Sequence, residues 1–230
     1  GETQDTIIDA AQSHRQALAG REPLAIESLN PQAGAYDHSN PSIVAAFDMA
    51  LYDILGKAAG LPVFRLLGGD KTSFETDKTL GIATADEMAL GAKAVIAKGF
   101  SAVKLKIGQS PAADVERVQA VRDAIGPGPA IRLDANQGYT VPQAISVLRK
   151  LEILGIEFCE QPVAFSDFDG LRQVRNESPI PITADESLFG PTDALKLIKA
   201  EACDYFNIKL MKAGGITNAL KISIIAEAAN

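Results

Sequence analysis

AVKLKIGQSPAADVERVQAVRDAIGPGPAIRLD, residues 102–134, holds one complete strand–helix–strand passage. Ala102–Ile107 is a short strand. Ser110-Pro111 is an N-cap followed by a proline at the first helical position, and Gly126 falls where a helix C-cap belongs. Ala130–Asp134 is the next strand. Side chains alternate across a strand, so Lys104 and Lys106 share one face while Val103, Leu105 and Ile107 share the other.

Outward from this passage the pattern repeats. Strands are read at Phe74–Ile82, Ile156–Glu160, Ile180–Ala184 and Tyr205–Lys209, each followed by a helix, with capping-box spacing at Thr84-Ala-Asp-Glu87 and further C-cap glycines at Gly99 and Gly155. The strand ends at Lys106, Asp134, Glu160, Asp185 and Lys209 lie 24 to 28 residues apart, the length of one βα unit. No GxGxxG or Walker P-loop follows any strand, so the series suits a (β/α)8 TIM barrel, an α/β fold, better than a doubly wound sheet. Six βα units are found, the last helix being Ile216–Ala229, and a barrel closes with eight. Two units are therefore expected beyond Asn230. The first seventy residues read as helical, with Asn40 as N-cap, Pro41 at the first position, apolar periodicity from Ile43 to Ala59 and a stop at Gly60-Leu-Pro62. The expected division is 1–70, the helical part of a capping domain, and 71–230, a partial barrel.

At 47% apolar and 22% charged residues, the 230-residue chain has the composition of a globular protein, not of a disordered or fibrous one. Its apolar runs are broken well before the ~18 residues of a spanning helix, and no basic-then-apolar leader is seen, so a cytoplasmic location is expected. A net charge of −7 disfavours nucleic acid and anionic membranes as partners and favours small molecules or cations. Cys159 and Cys203 lack CxxC spacing and read as reduced, buried thiols.

Charged residues stand at the carboxyl end of five consecutive strands, the face on which barrel enzymes build their sites. Asp134, Glu160 and Asp185 would converge from neighbouring strands as oxygen ligands for a hard cation such as Mg²⁺, leaving coordination positions open for substrate. Each acid alone would equally suit a solvated strand end or a helix N-cap. The apolar face of Val103–Ile107 must pack against helices, so Lys104 and Lys106 point into the barrel mouth. Two ammonium groups this close are expected to lower each other's pKa, moving one toward a general base. Lys209 is expected across the cation from Lys106. An amine on either side suggests removal of the α-proton of a carboxylate substrate, an enediolate stabilised by the metal, and return of a proton to the opposite face. That is racemase or epimerase geometry. Asn136 suits a substrate contact or a turn, and Glu186 suits a pairing with Lys209 or a helix N-terminus. Lys212 reads as a solvated loop lysine, Gly214-Gly215 as a tight turn, and His14 and His38 lie outside the barrel pattern. Cys159 precedes Glu160 and so faces away from the site.

These residues resemble the enolase superfamily in its muconate lactonizing enzyme subgroup. The resemblance rests on Ala46-Phe-Asp48-Met-Ala-Leu-Tyr-Asp53, Gly56-Lys57, Leu66-Leu-Gly-Gly69, Lys104-Leu-Lys106, Arg132-Leu-Asp134-Ala-Asn136-Gln-Gly138, Glu160-Gln-Pro162, Ala184-Asp185-Glu186-Ser187 and Asn207-Ile-Lys209-Leu-Met-Lys212-Ala-Gly-Gly215. It implies one Mg²⁺ on Asp134, Glu160 and Asp185, Lys106 and Lys209 as the two acid/base groups, and Lys104 as an electrostatic helper that also contacts substrate. Glu75-Thr76-Asp77-Lys78-Thr79 and the NIKLMKAGG run look most like dipeptide epimerases, of which the L-Ala-D/L-Glu epimerases of peptidoglycan recycling are the best known. Thr79 then occupies the first-strand position that lies near the substrate. A homo-oligomer is expected. The loop that closes over substrate would precede Gly1, and an Asp-x-Asp for the substrate ammonium would lie past Asn230. A muconate-type cycloisomerase or an o-succinylbenzoate synthase uses the same two lysines, and a non-catalytic reading is a degenerate metal-binding barrel fragment.

Overall fold

A computed structural model of the chain describes residues 2–29 and 40–229; His38 lies outside them. They form two compact units. One comprises Gly1–Thr72, Leu188–Leu195 and Ile208–Asn230, the other Ser73–Ser187 and Lys196–Asn207. Along the chain the elements are α1 (Gln4–Leu18), α2 (Ile26–Leu29), α3 (Pro41–Ala59), α4 (Val63–Leu66), β1 (Asp77–Leu80), α5 (Ala85–Ala97), β2 (Ala102–Lys106), α6 (Pro111–Ile125), β3 (Ala130–Asp134), α7 (Val141–Leu151), β4 (Ile156–Glu160), α8 (Phe168–Glu177), β5 (Ile182–Ala184), α9 (Pro191–Lys199), β6 (Tyr205–Phe206), α10 (Leu210–Ala213) and α11 (Ile216–Ala229).

All six strands of the second unit lie in one parallel sheet in the order β1-β2-β3-β4-β5-β6. Each strand neighbours the one before it. A doubly wound sheet reverses its strand order at a switch point, whereas this sequential winding is that of a TIM-barrel segment of six units. Val103 and Leu105 on β2, Ile131 and Leu133 on β3 and Ile182 on β5 are fully buried, as are Val118 and Val121 on α6, Leu148 and Leu151 on α7 and Leu171 on α8. Each such aliphatic stabilises the fold by about 1.5–3 kcal/mol relative to exposure. Period-two alternation leaves Lys104 and Lys106 on the opposite face, half-buried.

Local chemistry sets the helix starts. Thr84 and Glu87 form the expected capping box before α5, Thr140 and Gln143 form another before α7, and Asp167 accepts the amide of Gly170 before α8. Ser110 does sit at the N-cap of α6, but its hydroxyl caps nothing. The carboxylate of Asp114 accepts the Gly108 and Ser110 amides instead, at 3.0 and 3.1 Å.

Four strands are shorter than their sequence suggests, β2 only by Ile107. β1 begins at Asp77, because pairing with β2 starts there opposite Ala102 and leaves Phe74 79% exposed. β5 begins at Ile182, since Pro181 has no N–H to donate to a ladder. β6 ends at Phe206. Lys209 is not a strand residue but the N-cap of α10.

In the first unit, α3 begins at Asn40-Pro41 and ends at Gly60 in the left-handed conformation. Its Asp48, 1% exposed, accepts the amide and hydroxyl of Thr217 at the start of α11. Gly215 has φ +110°, and a Cβ there would meet the Asp48 carboxylate. The Gly214-Gly215 pair is thus a tight turn closed on Asp48, as its sequence suggests. Among the described residues, no helix is long and apolar enough to cross a membrane.

Candidate active site

The carboxyl ends of β2, β3 and β4 are in register. Lys106 pairs with Asp134 and Asp134 with Glu160, while Asp185 follows the end of β5. The three acids are essentially buried, at 0%, 2% and 1% exposure for Asp134, Glu160 and Asp185. Each offers an oxygen to one point, the three oxygens lying within 4.8 Å of one another. Charges in a low-dielectric interior need partners, and the lysines supply them. Lys104 Nζ reaches Asp134 Oδ2 at 2.9 Å and Glu160 Oε2 at 2.6 Å, and Lys106 Nζ reaches the same Asp134 oxygen at 2.7 Å.

Burial disfavours each charge, and the local partners decide the net effect. Burial pushes the acid of Asp134 up, but Lys106 and Lys104 outweigh it and hold the group below its usual range. Glu160 goes the other way: burial and the neighbouring Asp185 carboxylate raise it, with Lys104 only partly offsetting them. For Lys104, burial works against the charged form, yet Glu160 and Asp134 raise its pKa overall. This corrects the expectation that adjacent ammonium groups depress one another at that position. Carboxylates stand between and beside the lysines, and their attraction exceeds the repulsion. Asp134 and Glu160 therefore favour the charged form of Lys104.

Asn136 is drawn into the cluster. It has φ +40°, its amide donates to Asp134 Oδ1 at 3.0 Å, its side-chain oxygen accepts from Lys106 at 2.5 Å, and its side-chain nitrogen donates to Glu186 Oε1 at 3.1 Å. Asn136 thus links Lys106 to Glu186. Thr79 stands beside Lys104 in register, exposed on the same strand face. Lys209 belongs to the other compact unit. Cys159 is fully buried, and burial together with Asp134 and Glu160 pushes its thiol far up, which removes it as a nucleophile.

Three contributors lie outside the row of charged strand ends. Asn207 donates to Glu160 Oε1 at 2.8 Å; standing two residues before Lys209, it could have been found by the alternation rule. Arg132 shares the face of Lys104 and bridges Asp77 at 2.8 Å and Glu157 at 2.7 Å. Tyr139 donates to Asp114 at 2.7 Å. This bond joins α6 to the loop after β3. The backbones there touch: a Cβ on Gly138 would lie 2.2 Å from the Gly108 oxygen.

The cluster has the donor chemistry of a divalent-cation site. Its three ligating groups are anionic oxygens, which suit hard ions, and the raised acid of Glu160 beside Asp185 marks an excess of negative charge that a cation would relieve.

Comparison with known proteins agrees with this geometry. Residues 87–230 match the family model described as enolase C-terminal domain-like, and residues 3–68 match the mandelate racemase/muconate lactonizing enzyme N-terminal domain. The chain is 41% identical to the D-Ala-D/L-Ala epimerase of Cytophaga hutchinsonii over all of its length, and 40% identical to the L-Ala-D/L-Glu epimerase of Bacillus subtilis over 99% of it. It spans 63% of each of those relatives. A crystal structure of the dipeptide epimerase from Enterococcus faecalis, complexed with Mg and the dipeptide L-Leu-L-Tyr, superposes with a TM-score of 0.97 at 41% identity, covering all of this chain and 65% of that one.

Proposed function

We propose that this chain, which belongs to the enolase superfamily through matched mandelate racemase/muconate lactonizing enzyme N-terminal and enolase C-terminal domains, is part of a Mg²⁺-dependent dipeptide epimerase. The observation that carries the reading is the convergence of three buried carboxylates with Lys106 bonded directly to one of them. Relatives of about 40% identity that are named for dipeptide epimerisation support it. In this reading residues 1–70 are the helical part of a capping domain and 71–230 part of a barrel.

Asp134, Glu160 and Asp185 would hold Mg²⁺, which when bound supplies Lewis-acid charge to the oxygens of a substrate carboxylate. Lys106, as the neutral amine, takes the α-proton: the C–H bond breaks, the N–H bond forms, and the electron pair moves toward the carboxylate. Lys209, as the ammonium, returns a proton to the opposite face of the same carbon. The reverse assignment serves the other enantiomer. Lys104, held charged by Asp134 and Glu160, opposes the negative charge that develops on the carboxylate. Asn136 holds Lys106 in place, Glu186 holds Asn136, and Thr79 faces substrate.

Relatives of nearly equal identity carry different dipeptides in their names; the first-strand residues 75–79 resemble those of dipeptide epimerases, and L-Ala-D/L-Glu, the best known substrate of that class, is the one proposed. With that substrate the enzyme belongs to peptidoglycan recycling in the cytoplasm, and a homo-oligomer is its expected state. The test is incubation of the natural polypeptide containing this chain with L-Ala-L-Glu and with L-Ala-D-Glu, with Mg²⁺ and with EDTA, following the second stereocentre by chiral chromatography. Mg²⁺-dependent interconversion is expected. Lactonisation of muconate or dehydration to o-succinylbenzoate, with no dipeptide turned over, would replace the reading by one of those activities.

A further inference from the structure

Gln161 lies between Glu160 and Pro162 and is 0% exposed. A glutamine amide offers two acceptor positions and two donors, and all four are used. Its Oε1 accepts the amides of Asp185 and Ser187 at 3.0 and 3.1 Å. Its Nε2 donates to Val163 O at 3.1 Å and to Ser187 Oγ at 2.9 Å, and Ser187 Oγ donates onward to Phe165 O at 2.7 Å. The main chain of Gln161 is equally engaged, its amide donating to Thr183 O and its carbonyl accepting from Gln137. Its φ is +39°, a left-handed conformation that a non-glycine residue holds only when its surroundings impose it.

The position of these bonds matters more than their number. Pairing between β4 and β5 ends at Glu160 opposite Thr183. Asp185 stands two residues further on, past the last ladder pair, and its amide is held by the Gln161 side chain in place of a strand partner. One residue therefore carries Glu160 on its N-terminal side and Asp185 on its amide oxygen. We propose that Gln161 is the positioning residue that fixes the Asp185 carboxylate beside that of Glu160, so that the three acids are set for a divalent cation before it binds. The proposal rests on reading Asp134, Glu160 and Asp185 as a cation site.

Mn²⁺ serves as the probe, its binding to the full chain followed by the loss of its free-ion EPR signal and confirmed by competition with Mg²⁺. Gln161→Met keeps the length of the side chain and removes all four bonds; its dissociation constant for Mn²⁺ should rise about 10–100-fold, the usual consequence of releasing a ligand from its support. Ser187→Ala removes the hydroxyl that accepts from Gln161 Nε2 and donates to Phe165 O, and should raise the constant by at least about threefold while staying below the Gln161→Met value. Val174→Ala, in the buried core of α8, lowers the melting temperature but should leave the dissociation constant unchanged. Gln161 is then more than a packing residue, because affinity and stability separate. If wild type binds Mn²⁺ and Gln161→Met binds within about twofold of it, the positioning role is refuted while the cation site stands. If Gln161→Met does not fold, an unchanged affinity in Ser187→Ala refutes it equally. No saturable Mn²⁺ site in wild type would overturn the cation reading, and the positioning role with it.

Discussion

Replacing Lys104 by methionine keeps most of the aliphatic stem and deletes the charge that two buried carboxylates share. The ammonium lies 2.9 Å from Asp134 and 2.6 Å from Glu160, and its own side chain is only 15% exposed. Removing one partner of a buried ion pair costs roughly 3–5 kcal/mol, because the remaining charge is stranded. Here Asp134 keeps Lys106 and Glu160 keeps Asn207, which places the expected loss near the lower end, about 3 kcal/mol at pH 7. Urea denaturation of the metal-free chain reads it directly. The pH dependence follows from Glu160, whose acid is already raised by burial and by Asp185. A carboxyl raised in the folded state contributes most below its unfolded pKa and loses that contribution as pH rises through its folded value. Deleting Lys104 raises Glu160 further, so the penalty should shrink as pH falls from 7 toward about 4.5. A loss under about 1 kcal/mol at pH 7, or the same loss at both pH values, would refute this account of the electrostatics.

Other expectations follow from single contacts. Asp185→Asn removes one of the three converging carboxylates and should abolish tight Mn²⁺ binding; binding left intact would contradict it. Gly138→Ala drives a Cβ to 2.2 Å from the Gly108 carbonyl oxygen and should cost about 1–3 kcal/mol or more, with weakened Mn²⁺ binding, since the two loops in collision directly follow Lys106 and Asp134. A neutral melting temperature would show that these loops can part. Cys159 is fully buried with its thiol pushed far up, so it should react with a thiol reagent no faster than the chain unfolds; fast labelling in the native state would place it wrongly.

Alternation carried most of the fold. Val103-Lys104-Leu105-Lys106 alone fixed which face of β2 packs and which faces the mouth, and the 24-to-28-residue spacing of strand ends fixed a sequentially wound parallel sheet. The errors fall where strand pairing, not side-chain pattern, sets the boundary. β1 loses Phe74 to Thr76 because β2 offers no partner there, and Lys209 leaves β6 because the chain turns into α10. The convergence of the three acids was legible because acids at the same phase of successive units have few structural explanations. Gln161 was not, for alternation points it away from the site and its effect passes through amides of another strand. The sign of the Lys104 shift was also hidden, because it depends on distances to Glu160 and Asp134 that no spacing rule supplies.

The central claim is proton transfer at one carbon by two lysines on opposite faces, and exchange in D₂O tests it most directly. Lys106→Ala and Lys209→Ala, each in the natural polypeptide with Mg²⁺, are incubated with each epimer of Ala-Glu while the α-proton is watched by NMR. Both variants should fail to epimerise, and each should still exchange the α-proton of one epimer, a different one for each variant. Normal epimerisation by both variants, or no exchange by wild type with any dipeptide, would contradict the account.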